Sequence, residues 1–378
     1  MDHQTTKHPA AARPTTYGII GCGMMGQEHL NNIALLGGTR IGAIYEPNST
    51  MRAQAQQLAS EAEFTDTLDA LLHHPDLDCL LIASPNFRHL EQLEQIAQTR
   101  PLPVLVEKPL FTSIDDRERL RAFEAQYPAP VWVAMEYRYM PPIAAFLEHV
   151  QAATGGIKML SIREHRFPFL EKVADWNRFN AKSGGTFVEK CCHFFDLMRL
   201  ALGSEPLRVM ASGAQDTNHL DETYGDGLPD ILDNGYVIVD FSCGARAMLE
   251  LCMFAEGAEY QEEVSAVGPS GKIEAFVPGP GRFWPEHLGA APVPKLITSP
   301  RAPKGPVVMD VPVDATLLDA GDHNGSTFYQ HRGFLELVRG ERDKPDVSLR
   351  DGRMAVLMGL AAQLSIAEHR VVHMSEVL

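Results

Sequence analysis

The densest collection of reactive side chains lies in GGTFVEKCCHFFD, residues 184–196: a glutamate, a lysine, two adjacent cysteines, a histidine and an aspartate. Thiolate, imidazole and carboxylate are the donors of a transition-metal site. Histidine beside a carboxylate is equally the set for acid–base work near neutral pH. The third alternative is a helix with one wet and one dry face. If Thr186 caps a helix running to about residue 200, a wheel at ~100° per residue decides between them. Measured from Glu189, the residues Asp196, His193 and Lys190 fall in one polar arc. Cys191 and Cys192 fall opposite, with Phe187, Phe195 and Met198. Neither cysteine reaches His193, so the thiols read as core packing and no metal is expected. His193 remains as the acid–base candidate. Glu189 keeps two readings: it orients His193 from one turn upstream, or it closes a capping box with Thr186. Lys190 stands within ~60° of His193.

A second signal is GCGMMG at 21–26, with Gly21, Gly23 and Gly26 in the G-x-G-x-x-G pattern around Met24 and Met25. It follows an apolar run and opens a helical one, and Glu46 comes twenty residues after Gly26 at the end of the next apolar run. That context predicts a dinucleotide site. Gly21 permits the turn, Gly23 lets a pyrophosphate approach the backbone, and Gly26 brings helix against strand. Glu46 would accept from the ribose hydroxyls and repel a 2′-phosphate, which favours NAD over NADP.

The elements that must hold these residues alternate. YGIIGCG, RIGAIYEP, LDCLLIASP, PVLVEKP and PVWVAMEY read as strands separated by helical stretches, so residues 17–138 predict a doubly wound parallel sheet, an α/β Rossmann domain. After RYMPP the texture changes. Within residues 139–345, about 157–280 mix one helix with strands such as IKMLSIREHRF, GYVIVDFS, ARAMLELCMF, YQEEVSAVG and GKIEAFV, and FYQHRGFLELVRG reads as a further helix. They predict an α+β domain with a large, mostly antiparallel, open-faced sheet. Residues 278–312, rich in proline and glycine, read as loop. Residues 346–378 read as a helix started by Ser348 and Asp351 that packs back on the body, and residues 1–16 as a flexible tail. The 378 residues carry a net charge of -16, which argues against a nucleic-acid partner. No apolar run reaches the ~18 residues of a membrane helix, and nothing resembles an export signal. With six cysteines, reduced thiols and a cytoplasmic location are expected.

Several of these motifs, in this order, resemble the Gfo/Idh/MocA oxidoreductases, the glucose–fructose oxidoreductase and inositol dehydrogenase group. They are the glycine fingerprint, VEKP at 106–109, SPN with His89, EYRYMPP, GGTFVEKCCH and VSLRDGRMAVLMGLAAQLS. The resemblance implies NAD(P)-dependent oxidation of a sugar or polyol hydroxyl, and a homodimer or homotetramer formed through the open sheet. It implies that Ser84, Asn86, His89, Glu107 and Lys108 lie near the cofactor, with Tyr137 toward the substrate. Lys108 would touch the substrate hydroxyl and the nicotinamide ribose, and His193 would accept the proton. Glutamate at 189 departs from the family's usual aspartate. The main expectation is an NAD-dependent dehydrogenase of a sugar, polyol or sugar acid. The alternative, carried by likeness to some relatives, is a redox glycosidase that oxidises, eliminates and re-reduces, with an anionic glycoside such as a sulfoquinovoside as substrate. Cations gather near these motifs: Arg163, Arg166, Arg178 and Lys190, with His165 and Trp176 among them. They suggest a subsite for a carboxylate or sulfonate, with Arg163 and His165 on one side of their strand and Arg166 on the other.

Overall fold

The computed structural model describes residues 13–225 and 227–378; the expected tail lies outside them up to residue 12, and residues 15 and 16 already belong to the first strand. Six parallel strands form the first sheet: β1 (Thr15–Ile20), β2 (Thr39–Tyr45), β3 (Glu63–Thr65), β4 (Cys79–Ile82), β5 (Val104–Val106) and β6 (Val131–Val133). Their order is 3-2-1-4-5-6. Strands β1, β4, β5 and β6 are buried throughout, as a sheet covered by helices on both faces requires. β3 has three residues, too few to show a period, and was not foreseen. The order reverses between β1 and β4, which opens a crevice at their C-terminal ends.

Nine strands form the second sheet: β7 (Met159–His165), β8 (Pro206–Ala214), β9 (Asn234–Phe241), β10 (Arg246–Cys252), β11 (Glu262–Val267), β12 (Gly271–Val277), β13 (Lys295–Pro300), β14 (Val307–Asp310) and β15 (Val372–His373). Only β7 and β10 pair in parallel; every other pairing is antiparallel. The stretch 278–312 is therefore not all loop. β13 zips onto β12, with Leu296 opposite Ala275, and β14 onto β13. Flanking prolines hid both. One face is packed and the other open: along β7, Leu160, Ile162 and Glu164 are buried while Arg163 and His165 alternate outward.

Two C-terminal helices join the halves. Ser326–Val338, from the segment read as the second domain, lies against the first-domain helix Met24–Ala34, where His29 Nδ1 and His331 Nε2 are 2.8 Å apart. Leu349–Glu368 starts with the capping box foreseen at Ser348 and Asp351. It runs beside Thr186–Glu189 and Cys192–Leu202, the two helical pieces of the opening stretch. A Cβ on Gly359 would come within 2.4 Å of the Phe187 carbonyl oxygen, so only glycine allows this approach.

Candidate active site

The crevice at β1 and β4 is a cleft of about 910 Å³. Gly21 has φ +90°, and a Cβ there would lie 2.7 Å from the Ser84 backbone nitrogen. Gly26 touches the Gly21 carbonyl in the same way, at 2.5 Å. Over Gly23 the space is open, and no side chain caps the helix that begins at Met24. Free amide N–H groups at a helix start are an anion cradle. Glu46 is buried beside it; its Oε2 accepts from the Cys22 amide at 2.6 Å and its Oε1 from the Asn48 amide at 2.7 Å. Met24 and Met25 line the same cleft. The cradle fits a dinucleotide pyrophosphate, with Glu46 placed for the ribose hydroxyls.

At the inner end stands Lys108. Its Nζ donates to the Glu189 carbonyl at 2.9 Å and lies 3.8 Å from Glu189 Oε1. Burial pulls the lysine pKa down, but Glu189, Cys192, Glu107 and Glu136 together outweigh it and the net movement is upward, so the ammonium stays charged. Burial pushes Glu189 up, while Lys108 and then Lys172 bring it below the usual carboxylate range. Asn86 donates to both Glu189 Oε2 and the Ser183 carbonyl. Glu107 is held 3.0 Å from His29 Nε2. Ser84 Oγ donates to Gln92 at 2.6 Å. His89 lines the cleft, with Nδ1 and Nε2 2.7 Å and 2.8 Å from the carbonyls of Pro109 and Ser84. Both ring nitrogens are committed to tying two loops together.

The opening stretch is not one helix. It breaks at Lys190–Cys191, where the Cys191 amide reaches back five residues to the Thr186 carbonyl. Gly185, at φ +83°, takes the N-cap position, and the Thr186 hydroxyl donates to the Leu232 carbonyl. Glu189 therefore closes no capping box. Nor does it bond His193, whose Nδ1 has no hydrogen-bond partner among the described residues. Its partners are Lys108 and Asn86. Both cysteines are buried, and burial pushes Cys192 up to about 12 and Cys191 well above the usual thiol value. They are packing, as the wheel indicated.

His193 lies under the ring of Tyr137, centroids 4.2 Å apart and planes 11° from parallel. Burial, then the charges of Lys108, Lys190, His323 and Arg166, drive its pKa well below the ordinary imidazole value. It is neutral at pH 7. Lys190 does not line the cleft. Its Nζ lies 2.8 Å from Glu164 Oε1 and donates to the Tyr137 hydroxyl. The break in the helix turned it toward β7, whose inward Glu164 takes the charge. Burial first, then the neighbouring Glu164, raises Glu262 to about 7.

Of the other expected substrate residues, Tyr137 and His193 are buried against each other and do not line the cleft, and Arg163, His165 and Arg178 are not brought to it either. Arg163 pairs with Glu263, and His165 Nε2 with Glu250 at 3.0 Å, both on the outward face of the sheet. Arg178 is buried against Glu222 at 3.0 Å. Trp176 does line the cleft, edge-on to Phe87. Of the remaining charged groups here, Arg166 was expected, while Lys172 and His323 were not. Arg166 follows β7 on the inner side, 3.5 Å from Glu164. Lys172 lines the cleft from the loop before Trp176. His323 enters from the C-terminal half, 2.8 Å from Glu28 and 3.7 Å from Glu136. Burial opposes its charge, but Glu136 and Glu28 raise it to about 9. Glu28, Glu136 and His323 offer donor atoms within 4.8 Å of one another; Glu28 also accepts from the Asp322 amide, and the single Thr327 hydroxyl hydrogen lies between the two carboxylates. GDH at 321–323 carried no period or motif that could have flagged it.

A glycine cradle for a dinucleotide leading to a charged lysine and a neutral histidine is the architecture of a nicotinamide-dependent oxidoreductase. Residues 15–135 match the oxidoreductase family's NAD-binding Rossmann fold and residues 153–374 its C-terminal alpha/beta domain. The chain belongs to the Gfo/Idh/MocA oxidoreductase family. It is 24% identical to a myo-inositol 2-dehydrogenase of Thermotoga maritima over 96% of this chain and 99% of that protein. It is 26% identical to the rhizopine catabolism protein MocA of Rhizobium meliloti over 80% and 92% of the two chains. Among solved structures, a levoglucosan dehydrogenase in complex with NADH and levoglucosan superposes with TM-score 0.77 at 19% identity, covering 96% of this chain and 100% of that one. The cofactor is NAD.

Proposed function

We propose that this chain is an NAD-dependent dehydrogenase of a sugar or polyol hydroxyl, with Lys108 and His193 as its proton-handling pair. The observation that carries the reading is a lysine kept charged at the inner end of a dinucleotide cleft, with a buried histidine near it kept neutral by burial and by that lysine's charge. The inositol and levoglucosan dehydrogenases among its relatives support the substrate class. NAD, when bound, supplies the hydride acceptor. The Lys108 ammonium has three donors and places one on the Glu189 carbonyl. The others are available to a substrate hydroxyl, and the charge stabilises the oxygen as its proton leaves. Neutral His193 takes that proton. Glu189 holds Lys108 in place and charged.

The test is incubation with NAD and a panel of sugars, polyols and glycosides, following both NADH and released aglycone. NADH should accumulate, and Lys108→Met and His193→Ala should each lower kcat/KM by about 10²- to 10⁴-fold. No NADH with any panel member, or full activity in both variants, overturns the proposal. Aglycone released without accumulated NADH would indicate the oxidation, elimination and re-reduction of a redox glycosidase instead. The reading extends to a homodimer or homotetramer through the open face of the second sheet.

A further inference from the structure

We propose that Lys172 selects for an acidic substrate by receiving a carboxylate or similar anionic substituent at the inner end of the cleft. The inference rests on the dehydrogenase reading for which end of the cleft takes substrate.

Lys108 faces Glu189. Lys190 and Arg166 both face Glu164, with Glu262 behind. Arg163 and Arg178 are paired with glutamates elsewhere. His323 is held between two glutamates. Among the described residues, Lys172 has no carboxylate within 4.0 Å; its Nζ rests 5.1 Å from the centre of the Trp176 ring. A half-buried ammonium lining a cleft, partnered only by an aromatic face, leaves its hydrogen-bonding capacity unused. It packs on Trp176, which stands edge-on to Phe87 beside Asn86, a partner of Glu189, so it belongs to the Lys108 end of the cleft. Burial holds that ammonium's pKa down, Glu189 only partly offsets it, and Lys108 and Arg166 add to the burial; an incoming anion would add to the offset. The backbone just beyond is set unusually: Ala174 and Asp175 have φ +55° and +45°, in the left-handed region. The loop is thus shaped locally to turn Lys172 and Trp176 over the cleft.

The test compares neutral and acidic partners, D-glucose with D-glucuronate and sorbitol with D-gluconate. It uses full-length protein saturated with NADH for calorimetry and with NAD for turnover. In the wild type the acidic member of at least one pair should bind about tenfold or more tightly than its neutral counterpart. Lys172→Met should abolish that preference, Lys172→Arg should keep it, and the KM for NAD should not move in either variant. Absence of any acidic preference in the wild type overturns the inference, as does its survival in Lys172→Met. A loss in Lys172→Met that falls on NAD affinity instead also overturns it, since the cation then serves the cofactor. Acidic preference in calorimetry without NADH formation would keep the subsite and overturn the dehydrogenase reading, so the two failures are separable.

Discussion

Burial, with Lys108, Lys190, His323 and Arg166 around it, makes the imidazole of His193 hold its proton weakly, which leaves the proposed base unprotonated at neutral pH. Lys190 is the neighbour whose removal separates electrostatics from contact with substrate, because it faces Glu164 and Tyr137 and not the cleft. Taking away a positive charge raises the pKa of His193. Activity needs the neutral ring and is present above that pKa, so the acid limb of the kcat/KM profile should move to higher pH in Lys190→Met. Lys190→Arg, which keeps the charge, should leave the limb in place; an unmoved limb in Lys190→Met would show that Lys190 has no influence on the base. Sequence spacing identified Lys190 as a neighbour of His193 but not what it faces, because Glu164 comes from another strand. The same limit explains Arg163 and His165. Their shared side of β7 was legible from the period of two, but nothing in that period says which side turns inward.

Helix pieces, not one helix, present Glu189 and His193, and the long helix Leu349–Glu368 buttresses the first of them through Gly359. A methyl group at 359 would press on the Phe187 carbonyl at 2.4 Å, backbone that cannot swing aside. Gly359→Ala should destabilise the fold by about 1–3 kcal/mol and lower kcat by displacing Glu189 from Lys108. Gly281→Ala, where the added carbon meets nothing within 4 Å, should shift stability by no more than about 0.5 kcal/mol. Thermal melts and turnover on the two variants check this; equal melting temperatures would refute the buttress. The long, strongly periodic elements, including the capped C-terminal helix, were legible in the sequence. The break at Lys190 was not, since every residue there is a tolerable helix former and the interruption comes from tertiary contacts. β3 and β14 were too short to show a pattern, and β13 was framed by prolines.

The whole molecule leaves one face of its nine-stranded sheet uncovered. Met210, Ile238 and Met248 stand in register across three strands of it, with Tyr236 56% exposed and Met159 54% exposed nearby. An apolar row of this kind on a flat sheet marks a contact surface. Light scattering should give two or four times the 41.7 kDa chain mass, and Ile238→Lys should lower it toward one; a wild-type protein of single-chain mass would remove this surface from the assembly. The parallel sheet could be read from its alternating strands and helices, whereas the second sheet's nine strands could be read only in part, because their pairing is long-range. The thiols of the same molecule are distributed unevenly. Four of its six cysteines, including the adjacent pair beside His193, are buried, Cys252 is half-buried, and Cys243 is exposed on the turn between β9 and β10. The Ser204 hydroxyl lowers the Cys243 pKa, while burial raises those of Cys191 and Cys192. An alkylating dye added to the native enzyme thus finds one accessible, activated sulfur outside the cleft, a ready attachment point that spares the helix carrying His193.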